Sequence, residues 1–296
     1  MALDARAEAR TTLALAGAAK ASVASGLTFV APEALAARAR AADRHPLGAV
    51  CASLSLDFAF VAAGSDDAAD AAESVRAAGA AVMWSVAGPL GRLLEERGWT
   101  EGLRSVAGEP EALVPLLDDG VLAALEGLER GTAAGASVLV IAEDLAGTTG
   151  PLVPPDYAFE ELFPRLARIV EAAREADLPC VLHSDGDVRA FLPAAKRSGF
   201  SAVHVGGGLG WQAFEQLFRA ARTAGLAVVG SLLTTDISRG APGAVAAGSR
   251  AGVLASAGGL LLADDGGLAT PEELDVFVSA LAAARAAVAS AGEGAR

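Results

Sequence analysis

Two histidines and several acids stand where apolar runs give out. His183 and Asp185 are two apart in Val181-Leu182-His183-Ser184-Asp185-Gly186. While the chain stays extended, both project to the same side. Such a pair could bind a metal together, or Asp185 could orient His183 as a proton donor or acceptor. The alternative is structural, with Asp185 capping a helix that begins near Val188 and His183 a satisfied interior histidine. Glu143-Asp144 follows the apolar run Val138-Leu139-Val140-Ile141. Adjacent positions face opposite ways, so one of the two is expected to enter a site and the other to cap the loop. The candidate catalytic groups are therefore His183, Asp185, Asp144 and Glu143, with His183, Asp185 and Glu143 as the ligand set for a metal. His204, Ser231 and Asp264, on later apolar runs, are candidate substrate contacts together with Trp84.

The rest of the inventory removes competing chemistries. Only Lys20 and Lys196 are lysines, and neither ends an expected strand, which disfavours a Schiff base. Two cysteines, Cys51 and Cys180, cannot hold an iron–sulfur cluster or a four-cysteine zinc, and read as buried reduced thiols. Aromatic residues are 5% of the chain, too few for the stacking platforms of a carbohydrate enzyme. A net charge of −13 repels phosphate backbones and anionic membranes, so neither nucleic acid nor membrane is an expected partner. The first 20 residues mix Asp4 and Glu8 with Arg6 and Arg10, unlike a signal peptide, which leads to the expectation of a cytoplasmic protein. His45, before Pro46, reads as a solvated turn residue.

These residues must be positioned by a repeated unit, a short apolar run followed by a longer helical pattern. Strands are expected at 57–61, 82–86, 138–141, 180–183, 202–205, 227–229 and 260–262, with an eighth at Leu27–Val30. A helix spans 65–78, and another 156–176 contains Pro164, which should kink or split it. Thr270-Pro271-Glu272-Glu273 is a capping box with proline at the first helical position, so a last helix begins there. The strand runs are apolar throughout rather than alternating, as in a parallel sheet buried on both faces. Eight such units over 296 residues predict a (β/α)8 TIM barrel. The expected organisation is a single domain over 1–296, with an N-terminal extension at 1–45 and a frayed tail at 292–296. Barrel active sites lie at the C-terminal ends of the strands, where these polar residues fall. Gly206-Gly207-Gly208-Leu209-Gly210 lacks the acid about 20 residues on that a dinucleotide fingerprint needs.

From Gly88-Pro89 to Phe277 the order of motifs resembles the uroporphyrinogen decarboxylase superfamily. Ala142-Glu143-Asp144-Leu145-Ala146-Gly147, then Pro151-Leu152, Pro155, Tyr157 and Pro164, is similar to its long loop after a central strand. Pro179 to Gly186 is similar to its next strand, in the branch related to corrinoid methyltransferases, and Gly230-Ser231-Leu232 and Gly258 to Glu273 to its later blocks. The resemblance implies a barrel, often dimeric, with its site in the mouth. It implies methyl or other one-carbon transfer on a small molecule, with zinc or another divalent metal and a corrinoid on a partner protein. Asp185 stands where that branch has a cysteine ligand. The decarboxylase's N-terminal arginine motif is missing, and its late Gly-His-Gly is Asp265-Gly266-Gly267. Two alternatives follow: a lyase that decarboxylates a tetrapyrrole or other carboxylated substrate, using Arg189, Arg239 or Arg92, and a non-catalytic binding or regulatory barrel.

Overall fold

The computed structural model describes residues 23–38 and 45–293. Eight parallel strands run β1 (Gly26–Leu27), β2 (Phe58–Ala62), β3 (Ala81–Ala87), β4 (Val138–Ala142), β5 (Cys180–Ser184), β6 (Ala202–Val205), β7 (Ala227–Leu232) and β8 (Leu260–Asp264). Each pairs with the next in sequence order. The Leu262 amide donates to the Ala24 carbonyl at 2.9 Å, and bridges join Ser25 to Leu262 and Val30 to Leu268. The sheet therefore closes into a (β/α)8 barrel. Its first strand is shorter than Leu27–Val30, and it lies, with the helix Pro32–Arg38, inside the stretch expected to be an extension. Residues 1–22 lie outside the described residues, as do 294–296 of the expected frayed tail, while Gly292 and Glu293 are helical.

Burial of both strand faces explains the unbroken apolar runs. Phe58, Phe60, Met83, Val140, Val181 and Leu261 fill the barrel interior. The opposite faces meet the surrounding helices in a second, larger apolar layer. Truncating the fully buried Phe58 to alanine would cost about 3–5 kcal/mol. The interior residues also set the phase at the mouth. His183 follows Val181 by two, His204 follows Ala202, and Ser231 follows Val229, so all three share the inward phase.

Two expected helix features take a definite form. The helical stretch around Pro164 is continuous but passes through a π turn, Ala158–Leu162, before the helix Phe163–Glu175. Proline has no N–H to give residue i−4, and the wider turn absorbs that loss. The capping box at Thr270 is present, with the Glu273 amide donating to Thr270 Oγ1 and the Thr270 amide to Glu273 Oε2, both at 3.2 Å. From there a helix runs Pro271–Glu293 and packs along the helix Ala241–Ala255. By length and composition its Pro271–Gly292 stretch is apolar enough to cross a membrane, although no single uncharged run in the sequence reaches that length.

Candidate metal centre

At the C-terminal ends of β5 and β6 the two histidines are direct partners in register. Their rings stack, with centroids 4.8 Å apart, and their Nδ1 atoms approach to 2.7 Å. His204 Nε2 lies 3.3 Å from the Asp264 carbonyl oxygen. The proton positions follow from these partners. A carbonyl only accepts, so His204 Nε2 carries hydrogen and donates. Burial pushes the pKa of His204 well below its ordinary value, and His183 beside it adds to the shift. Burial also lowers that of His183, partly offset by Asp144 and Asp185. With both rings neutral, His204 Nδ1 must accept and His183 Nδ1 must donate. His183 is left with a bare lone pair on Nε2.

That lone pair faces acids. Asp144 Oδ1 lies 3.9 Å and Asp185 Oδ1 4.0 Å from His183 Nε2. The Asp185 amide donates to Asp144 Oδ1 at 2.9 Å, tying the loops after β4 and β5 together. One donor atom from each of Asp144, His183 and Asp185 can be chosen so that all lie within 4.8 Å of one another. Burial and the neighbouring Asp144 raise the Asp185 carboxyl above the ordinary range. Gly206 is part of the cradle, because a Cβ there would collide with the Asp185 carboxylate and press on the His183 ring. Phe29 and Phe60 pack edge-on against the histidines, Phe29 meeting His183 at 5.2 Å and Phe60 meeting His204 at 5.1 Å.

The other sequence candidates have different places. Glu143 is turned away from the metal-capable group, which corrects its assignment as a ligand. Its carboxyl accepts from the Leu90 and Gly91 amides, at 3.1 and 3.0 Å, and so caps the helix Pro89–Arg97. Complete burial pushes its pKa up to about 8, against the lowering by those two amides. Trp84 is also corrected: it faces the outer helices rather than the mouth. Its Nε1 donates to the Gly127 carbonyl at 2.9 Å, and its ring lies where a side chain on Gly131 would be. Asp264 is fully buried and pins the barrel seam, accepting from the Thr28 amide at 2.8 Å, from Thr28 Oγ1 and from the Gly267 amide at 3.0 Å. It contributes its backbone carbonyl to His204, and its carboxyl is committed elsewhere.

Ser231 keeps the inward phase and has a feature the sequence did not signal, a φ of 91°. Its buried Oγ has no partner, and neither does Asp265 Oδ2 at the end of the next strand. Asp265 Oδ1 accepts from the Thr234 amide at 2.6 Å, and burial brings the pKa of that side chain up to about 6. Strain and orphaned polar atoms gather at functional ends of folds. Cys51 and Cys180 are buried as expected, and burial pushes both thiols up to about 12, so neither is a ready thiolate ligand. Phe29 escaped sequence analysis, since nothing in its neighbours marks a loop aromatic as a ring partner for a distant histidine.

One imidazole nitrogen and two carboxylates form a donor set suited to a borderline or hard divalent cation. Three protein ligands would leave positions open for water or substrate, as catalytic rather than structural sites do. No protein-family model matches the chain, and no curated protein matches it. Solved structures do. A methyltransferase from Methanosarcina mazei superposes with a TM-score of 0.74 at 19% identity, over 95% of this chain and 98% of that one. A B12-independent methionine synthase from Shewanella sp. W3-18-1 gives 0.54 at 14% identity, over 76% of this chain and 67% of that one. An archaeal fructose 1,6-bisphosphate aldolase gives 0.53 at 14% identity, over 95% and 99%. One barrel carries several named reactions in these neighbours, so the likeness establishes architecture while chemistry rests on the site. By its own hydrogen bonds and by these neighbours, the chain is a (β/α)8 barrel.

Proposed function

We propose that this barrel is a metal-assisted enzyme of the uroporphyrinogen decarboxylase superfamily that transfers a methyl or other one-carbon group on a small molecule. The observation that carries the reading is the contact of the two histidines at Nδ1 and of His204 Nε2 with the Asp264 carbonyl, from which follows a His183 Nε2 lone pair within about 4 Å of two carboxylates. His183, Asp144 and Asp185 would hold the ion, with zinc the leading choice. Bound there, it would supply Lewis acidity to a small nucleophile or to a leaving oxygen. His204 holds the His183 ring through Nδ1 and fixes its tautomer, the task that an outer hydrogen-bond partner performs for a metal-bound imidazole. The order of sequence motifs and the likeness to a methyltransferase support one-carbon transfer as the reaction class. A corrinoid protein docked over the mouth is the proposed methyl donor, and a homodimer the proposed assembly.

Decarboxylation of a polycarboxylate calls for arginines converging on the mouth. Arg189 is instead bound to Asp187 and Gln216, Arg239 to Asp236 and Arg92 to Glu96. Transfer is therefore the reading the site favours. Single-turnover assays of zinc-loaded protein with a methylated corrinoid and a panel of small nucleophiles test it. Demethylation of the corrinoid by the wild type, lost in Asp144→Asn with the fold intact, is the expected result. No transfer with any acceptor, together with an Asp144→Asn variant that still binds a partner protein, would favour the non-catalytic barrel.

A further inference from the structure

A cavity of about 580 Å³ lies between the loops after β1, β2 and β8, lined by none of Asp144, His183 and Asp185 but reaching His183 through Phe29. Protein interiors rarely leave voids larger than a water molecule, whereas ligand pockets run from about 300 to 1,000 Å³. This space therefore has the dimensions of a binding site. Its walls are apolar, formed by Leu35, Leu47, Phe60, Ala68 and Leu268 among others. Among the described residues, the ionisable groups on it are His45 and Asp67, and they face each other, with His45 Nε2 3.0 Å from Asp67 Oδ2. His45 is not the free turn residue that its position before Pro46 predicts. Its Nδ1 accepts from the Leu47 amide at 3.2 Å and caps the helix Pro46–Leu54. Thr28, also on the wall, gives its hydroxyl to Asp264. Among the described residues, the cavity thus offers no unpaired charge to a charged guest.

Phe29 connects this cavity to the chemistry. It lines the space and presents its ring to His183 at a centroid distance of 5.2 Å. A guest in the cavity is one aromatic ring away from the metal-capable group. We infer that the cavity holds the uncharged, apolar body of the substrate, leaving its polar reacting end beside His183. This inference rests on the proposed function and narrows its substrate to molecules with a neutral hydrocarbon or aromatic portion.

Three probes separate body from charge: benzyl alcohol, ethanol, which lacks the body, and benzoate, which adds a charge. Titrations followed on the methyl resonances of Leu35, Leu47 and Leu268 are run on zinc-loaded and chelator-treated protein. Benzyl alcohol is expected to bind at least 10-fold more tightly than either other probe. Ala68→Leu, which fills the space, should abolish that preference while zinc stoichiometry stays at the wild-type value. Ala62→Leu, at an exposed position on the same wall, is the second variant should Ala68→Leu fail to fold. Equal affinity for all three probes, or a preference that survives whichever variant folds, overturns the inference. A preference that persists in protein unable to bind zinc upholds the cavity and defeats the metal reading alone.

Discussion

The two ends of the barrel both bury polar side chains and treat them in opposite ways. Below the strands, Asp57 accepts from the Ser25 amide at 2.9 Å and from Ser25 Oγ at 3.3 Å. Arg285 reaches across from the last helix to Ser25 Oγ at 2.7 Å and to the Leu54 and Ser55 carbonyls at 2.8 Å. Those donors and acceptors answer one another, so the bottom of the barrel reads as a fastening. At the top, Ser231 Oγ and Asp265 Oδ2 are buried without partners, and the lone pair of His183 Nε2 points at carboxylates. An end that evolved only to hold the fold together would not leave such groups open. The satisfied network lies at the face of a barrel that serves stability, and Ser231 Oγ and Asp265 Oδ2 lie at the face where barrel active sites form.

Mutations should divide along the same line. The largest effect on stability is expected at the bottom. Asp57→Ala strands the Ser25 amide and disturbs the Arg285 network, and should cost about 3–5 kcal/mol in urea unfolding while leaving zinc affinity within twofold in the folded fraction. A loss under 1 kcal/mol would erase the distinction between the ends. Next comes the pH response of Asp265, whose folded pKa of about 6 lies above its ordinary 3.8. The fold binds that proton more tightly than the unfolded chain does. Its contribution is therefore fully present below about pH 3.8 and lost as pH rises through 6. Wild type should lose up to about 3 kcal/mol relative to Asp265→Asn between pH 4 and 7. Parallel stability curves for the two proteins would place that carboxyl in ordinary solvent.

Smaller in energy, but confined to the top, are the changes that sharpen the contrast. Asp185→Asn should lower zinc affinity by about 100-fold, worth about 2.7 kcal/mol, while thermal stability stays level or rises as one of two close carboxylates is neutralised. A drop in stability without loss of metal would make Asp185 a structural cap. His204→Phe keeps an aromatic ring but removes the acceptor for His183 Nδ1. Zinc affinity should fall by about 10- to 100-fold. His204→Gln, whose amide oxygen can accept, should recover part of it.

Much of the architecture was legible because a parallel barrel buries both faces of each strand. Continuous apolar runs such as Val138–Ile141 mark the strands, and the capping box at Thr270 marks the last helix. The same property hides which way a strand residue points. Trp84 follows Met83 in a run apolar on both faces, so periodicity is silent on its facing outward. A partial signal existed in Gly131, whose missing side chain leaves room for the Trp84 ring against the helix Val114–Ala133. The spacing of His183 and Asp185 was readable, whereas their meeting with His204 required the register of β5 and β6. Of Glu143 and Asp144, sequence allowed one to enter the mouth without saying which. The free amides at the start of the helix Pro89–Arg97 draw Glu143 aside and leave Asp144 beside His183. Such a choice depends on a helix end some 50 residues away in sequence, beyond the reach of local pattern.

The central claim is that Asp144, His183 and Asp185 form a metal site ordered by His204. Zinc titration of chelator-treated wild type and His183→Ala, followed by calorimetry with elemental analysis of the product, tests it most directly. The expected result is close to one equivalent bound by the wild type and none by a folded His183→Ala. Absence of binding in the wild type, or the same stoichiometry and affinity in the variant, would contradict it.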